Sequence, residues 1–219
     1  MQQPIRTAVV TGGHSYEVDE FRRLFRSLAG VDAYVQHLED FASSSETERD
    51  AYDVVVFYFM PPGAPTDDGH PWYAGKPRAA LEHLGATTQG IVLLHHAILA
   101  YPDWPTWQKL AGIAKREFAF HHDQSMTIQV ADAEHPVTTG LTSWEMIDET
   151  YEMNEPDGDC RVLLTTTHPK SMRSIAWTRT YGQSKVFSLV GGHDSQTWQN
   201  DLFRLVLARG ILWAAPSGR

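Results

Sequence analysis

The feature that most constrains this chain is a recurrence of short apolar runs of strand length, at residues 7–10, 33–35, 54–59, 90–94, 126–130, 162–166 and 186–190. Several carry apolar, often β-branched residues at consecutive positions. A strand with one wet face would alternate, so such runs indicate strands covered on both faces, as in a parallel sheet between helices. Between them, residues 17–28 set Phe21, Leu24, Phe25 and Leu28 at helical spacing, with Arg22, Arg23 and Arg26 opposite and Gly30 behind as a stop. Residues 201–212 repeat the pattern with Leu202, Leu205, Val206 and Leu212. Strand then helix, repeated, predicts an open, doubly wound, mostly parallel α/β sheet with helices on both faces. No linker interrupts the 219 residues, so a single domain over residues 1–219 is expected.

Two segments break the rhythm. Residues 42–50 are polar and Ser/Glu-rich, which predicts a solvated loop. Residues 60–77 hold five of the twelve prolines and three glycines, with Asp67, Asp68, His70, Trp72 and Tyr73, directly after a buried strand. A loop this long in a compact domain predicts a lid or pocket wall.

Charge narrows the partners. Lys plus Arg number 18 against 27 Asp plus Glu, a formal charge of −9, and a field of that sign repels phosphate backbones and anionic lipid. Neither nucleic acid nor membrane is an expected partner. The chain begins without the basic start and apolar segment of a signal peptide, and no run nears the ~20 residues that span a bilayer. The single cysteine, Cys160, excludes a disulfide framework and a thiolate zinc cluster, and suits a cytoplasmic protein.

The histidines are placed informatively. In open α/β sheets the ligand crevice lies beyond the carboxyl ends of the strands, so residues just after different strands converge. His14 follows the first run through Gly12-Gly13, His95 and His96 close the fourth, and His193 follows the last through Gly191-Gly192. Glycine permits the sharp exit that aims an imidazole across the sheet edge. His121-His122 precedes a strand and ranks lower, and His135-Pro136 reads as a turn. In the acidic stretch 148–152, alternation puts Glu149 and Tyr151 on one face and Asp148 on the other. Glu149 is then a candidate ligand or proton acceptor. Asp194 either orients His193 or caps the next helix. Of seven tryptophans, Trp72, Trp104 and Trp198 fall in loops after strands and are candidates to stack on a sugar ring, whereas Trp213 belongs to a helix core.

These residues sit in stretches that together resemble the ThuA-like, or trehalose-utilisation, family: Val10-Thr-Gly-Gly-His14, Tyr52-Asp-Val-Val-Val-Phe57, Gly90-Ile-Val-Leu-Leu-His95, His135-Pro-Val-Thr-Thr-Gly-Leu141, Asp148-Glu-Thr-Tyr151, Ile175-Ala-Trp-Thr-Arg179 and Val186-Phe-Ser-Leu-Val-Gly-Gly-His193. The resemblance implies the flavodoxin-like fold of class I glutamine amidotransferases. It does not imply their chemistry. A glutaminase of that fold needs a cysteine on the turn after the central strand, and here that turn carries His95-His96, with Cys160 elsewhere. A Gly-x-Ser-x-Gly elbow is also missing.

The resemblance implies a role in using trehalose or a related disaccharide, through a 3-keto sugar. A ketone acidifies its neighbouring C–H, which suits imidazoles of near-neutral pKa. The expectation is therefore a sugar lyase, hydrolase or isomerase with His95, His96, His193, Glu149 and Tyr151 as acid/base candidates. Trp72, Trp104, Asp194 and Trp198 are candidates for binding the sugar. His14, His95, His193 and Glu149 also make a four-ligand set for zinc or manganese, so the same side chains serve either as proton carriers or as metal ligands. No nucleotide cofactor is expected. The competing reading is a non-catalytic sugar-binding or regulatory module on the same scaffold, and a third is a metal-dependent amidase or nucleosidase. A homo-oligomer is compatible with this fold, though no sequence feature calls for one.

Overall fold

Every residue of Val54–Phe59 and of Gly90–Leu94 is buried, as consecutive apolar side chains require of strands with no wet face. The structure is a computed structural model that describes residues 3–67 and 77–217. Its strands are β1 (Ile5–Gly12), β2 (Val31–His37), β3 (Val54–Phe59), β4 (Gly90–Leu94), β5 (Ala119–Val130), β6 (Trp144–Glu152), β7 (Arg161–Thr165), β8 (Ser174–Tyr181) and β9 (Ser184–Leu189). They form one sheet in the order β2-β1-β3-β4-β9-β8-β7-β5-β6. The helices are α1 (Val18–Ser27), α2 (Leu38–Ser43), α3 (Glu46–Asp50), α4 (Pro77–Glu82), α5 (Pro105–Ala111), α6 (Ser195–Trp198) and α7 (Asp201–Ala214).

Side chains of the parallel strands alternate between two cores. On one side Val9, Val54, Val56, Val92 and Phe187 meet Phe21, Leu24 and Phe25 of α1 and Phe203, Val206, Leu207 and Ile211 of α7. On the other, Ala8, Val10, Val55, Phe57, Ile91 and Leu93 meet Leu38 and Phe41 of α2, Leu81 of α4 and Trp107 and Leu110 of α5. Each large side chain removed from water in this way contributes about 1.5–3 kcal/mol. α7 lies so close to β9 that a Cβ on Gly210 would run into the Phe187 ring.

The sheet is mixed rather than mostly parallel. Strands β2, β1, β3, β4 and β9 run parallel, but β9-β8-β7-β5-β6 are paired antiparallel. The reason is local: only Gly182 and Gln183 separate β8 from β9, and a two-residue link can join antiparallel neighbours only. Residues 42–50 are also not a plain loop. They end α2 and form α3, begun by a capping box in which Ser45 accepts from the Glu48 N–H while the Glu48 carboxylate accepts from Ser45 N–H. Half of the segment expected to form a lid over residues 60–77, residues 68–76, lies outside the described residues. Among the described residues no helix is long and apolar enough to cross a membrane.

Candidate functional site

Three parallel strands end at one place. After β1 the chain turns through Gly12 and Gly13, where φ is +70° at Gly13 and a Cβ would lie 2.7 Å from the Met60–Pro61 backbone, so only glycine brings His14 round this corner. β4 ends directly in His95, which holds φ +53° as it opens a 3-10 turn, His95–Leu99. A β-carbon in that region is strained, and such strain persists where the surroundings over-determine it. β9 runs through Gly191-Gly192 to His193, and the buried Asp148 carboxylate fixes that exit. It accepts from the N–H groups of Gly192 (2.6 Å), His193 (3.0 Å) and Glu149 (2.8 Å).

The imidazoles consequently gather. Ring centroids of His95 and His193 are 5.3 Å apart, His14 and His96 4.5 Å, His95 and His96 5.2 Å, and His14 and His193 6.2 Å. From the antiparallel half, β6 delivers Glu149 and Tyr151 together, while Asp148 turns away to the β9 exit, the alternation expected of an extended segment. Glu149 lies 3.4 Å from His95 Nε2 and 3.7 Å from His193 Nε2.

His122 is a residue that the sequence reading ranked low. It belongs to β5, where the register with β6 slips between His121 and Gln124 and Asp123 adopts φ +54°. This bulge re-aims the strand and sets His122 Nδ1 2.9 Å from Glu149. The His-His-Asp triplet, an odd cluster in an otherwise β-prone run, was the signal available.

Hydrogen bonds assign the tautomer of neutral His95. Its Nδ1–H donates to the Val190 carbonyl at 2.7 Å, so Nε2 keeps its lone pair and accepts the Tyr151 hydroxyl proton at 2.7 Å. Burial and the nearby Glu149 charge push the Tyr151 phenol well above its usual range, so it stays a donor. For Glu149 burial acts upward, but protonated His95, whose Nε2–H and charge then face the carboxylate 3.4 Å away, together with the Tyr151 hydroxyl and His193 outweighs it and holds the carboxyl at about 2. Burial keeps Asp148 above the usual range although backbone N–H groups and His95 pull it down. His96 is buried between His14 and Tyr58 with neither ring nitrogen hydrogen-bonded to a described residue, and desolvation followed by the neighbouring imidazoles drives its pKa far down. It is a neutral ring at the floor of the cluster and does not carry a proton as an imidazolium.

The other expected residues are placed as follows. Asp194 does both things foreseen: it caps α6 by accepting from Gln196 N–H and lies 3.5 Å from His193 Nδ1. Trp198 presents no ligand face; it is 2% exposed and its N–H donates to the Gly192 carbonyl. Trp104 is likewise buried, stacked on Trp107. Both entered the core because each has a turn or ring to cover. Trp72 lies outside the described residues. His135 accepts from Val137 N–H and packs on Trp213, a turn as expected. The Cys160 thiol sits beside Gly112, and burial pushes it up to about 11, so it is no thiolate. A groove of about 930 Å³ runs from Gly12, Gly13 and His14 between α1 and β2 to His37 and Asp40; it meets the cluster only at His14.

His95, Glu149 and His193 each offer a donor atom, all within 4.8 Å of one another. Two imidazoles and a carboxylate match an open zinc-type site with room for a further ligand. These three side chains fit a divalent ion as donors; His14, expected as a fourth, lies outside that group and gives its Nδ1–H to the Ser15 carbonyl.

Comparison with known proteins agrees with this architecture. A ThuA-like protein of Parabacteroides merdae superposes with a TM-score of 0.74 at 18% identity, covering 99% of this chain and 93% of its own. One from Bacteroides uniformis gives 0.73 at 19%, covering 100% and 96%. A GMP synthase component of Thermoplasma acidophilum gives 0.54 at 15%, covering 96% and 94%, which relates the fold to amidotransferase scaffolds. No curated protein matches the sequence. The sequence profile of the ThuA family, described as trehalose utilisation, matches residues 8–214, and the chain belongs to that family.

Proposed function

We propose that this chain is a carbohydrate-utilisation enzyme that moves protons beside the ketone of a keto-disaccharide or keto-sugar of the 3-keto-trehalose type. The observation that carries this reading is one buried, ionised carboxylate, Glu149, within 2.9–3.7 Å of three imidazoles, with no nucleophile beside it among the described residues. Trehalose utilisation, the description of the family, supports the substrate class.

His193 is the proton carrier, since it is partly exposed and lies between the carboxylates of Glu149, at 3.7 Å, and Asp194, at 3.5 Å. It removes the proton from C2 of the keto sugar. The C–H electron pair moves into the C2–C3 bond, and the ketone oxygen takes up charge that the Tyr151 hydroxyl can stabilise by turning its O–H from His95 Nε2 to that oxygen. In elimination the C1–O bond then breaks with its electron pair, the leaving oxygen takes a proton from imidazolium, and an unsaturated keto sugar and a free sugar result. Return of the proton to C3, with the C2 hydroxyl proton passing to the C3 oxygen, gives isomerisation to the 2-keto sugar instead. A divalent ion held by His95, Glu149 and His193 would polarise the ketone and lower the cost of charge on its oxygen. His193 is then a ligand, and proton carriage falls to His122, outside the three-donor set.

The test is turnover of 3-keto-trehalose, followed by release of free sugar, with element analysis of protein purified without chelator or nickel resin. His193→Ala and Glu149→Gln should abolish turnover with the fold retained by circular dichroism. Full turnover in both variants overturns the site. Sugar binding by the wild type without any turnover makes it a binding module.

A further inference from the structure

Large apolar side chains in water are uncommon among the described residues, and two of them flank the histidine cluster. Phe118 is 38% exposed and Phe120 54%. Phe120 lies in β5 and Phe118 just before it, and both adjoin Tyr151. Phe120 is paired with Tyr151 across the ladder, Phe118 lies 5.5 Å from the Tyr151 ring, and Phe120 lies 5.2 Å from His122. Tyr151 stacks on His95 at 5.1 Å and His122 adjoins His193 at 5.1 Å. A continuous run of rings thus leads from the two solvent-facing phenylalanines to the buried proton-transfer groups.

Resting on the carbohydrate reading above, we propose that Phe118 and Phe120 are a stacking subsite for the second, non-reacting ring of a disaccharide. A pyranose has an apolar C–H face and a rim of hydroxyls, and binds where a flat aromatic surface has polar groups beside it. Here the half-exposed His122, whose ring lies beside that of Phe120 and whose Nδ1 is 2.9 Å from Glu149, supplies the polar edge. With the reacting ring over His95 and His193, a second ring joined through one oxygen reaches the adjoining surface. Trp104 and Trp198, two of the three tryptophans expected to do this, are buried, which leaves the phenylalanines as the exposed aromatic surface at this mouth among the described residues. The occupant is a sugar ring rather than another protein because the patch is small and continuous with the polar cluster instead of standing apart from it.

The test uses unreactive probes, trehalose and glucose, titrated calorimetrically into the wild type, the Phe118→Ala/Phe120→Ala double variant and Phe120→Trp. The double variant should bind trehalose about tenfold more weakly, the effect of losing two stacking contacts, while glucose affinity is unchanged and Phe120→Trp keeps trehalose affinity. Equal trehalose affinity in wild type and double variant, or equal weakening for both sugars, overturns the subsite while leaving the proton-transfer centre standing. A wild type that binds neither trehalose nor 3-keto-trehalose overturns the carbohydrate reading and the subsite with it. Loss of self-association in the double variant, at unchanged trehalose affinity, assigns the rings to contact between copies and also overturns the subsite.

Discussion

Replacing Glu149 by Gln removes the charge around which the imidazoles are arranged, and the effect on stability has a sign that depends on pH. The Glu149 carboxyl is held at about 2, against an ordinary value of 4.5. A depressed folded-state value means that folding favours the ionised form, so its contribution is complete above 4.5 and is lost as the pH falls toward 2. The shift corresponds to about 3 kcal/mol at neutral pH, and about 2 kcal/mol of it disappears between about pH 6 and pH 3. Glu149→Gln has no carboxyl to protonate, so the advantage of wild type over the variant should shrink by that amount across the window. Urea unfolding at a series of pH values, followed by circular dichroism with EDTA present so that imidazoles are the only partners, measures it. Any loss of shape complementarity in the variant is independent of pH and drops out of the slope. Parallel curves for the two proteins would refute the electrostatic account. An advantage that grew as the pH fell would mean that burial, which acts upward on this carboxyl, prevails over the imidazoles.

Asp148→Asn keeps an acceptor oxygen but turns an amide N–H toward one of the backbone N–H groups that the carboxylate now binds. It should cost about 2 kcal/mol and reduce turnover by loosening the His193 exit; unchanged stability and activity would show that the three short contacts carry no weight. Gly210→Ala gains about 1 kcal/mol of helix propensity but drives a methyl into the Phe187 ring. A net loss of about 2 kcal/mol is expected, measured by thermal unfolding, and a more stable variant would contradict the close α7–β9 contact.

How much of this was legible in the sequence depends on the range of the interaction. Runs such as 54–59 and 90–94 declare themselves through consecutive burial, and the glycines before His14 and His193 mark strand exits, so the convergence of His14, His95 and His193 could be read without coordinates. β8 shows no apolar run in the sequence because Ser174, Thr178, Arg179 and Thr180 dilute its apolar residues, and it pairs with neighbours on both sides. α3 buries nothing, so no periodicity betrays it. Only its Ser-x-x-Glu cap does. The direction of His122 is hidden in the sequence because a bulge decides it, and a bulge is a property of two strands in register. Trp104 and Trp198 depart from the expectation because residue type indicates what could stack on a sugar, while exposure, a tertiary quantity, decides what is available to do so.

The strand order has a consequence for how the molecule comes into being. β9, the last strand in the chain, is inserted between β4 and β8, joining the parallel half to the antiparallel half. Until it has been synthesised, a growing polypeptide carries two incomplete half-sheets, each with a raw inner border of unpaired amides of the kind that recruits foreign strands. His193 arrives with that same closing piece. Ribosome stalling or proteolytic clipping ahead of it would therefore yield no partly competent species: the step that seals the sheet also delivers the final imidazole.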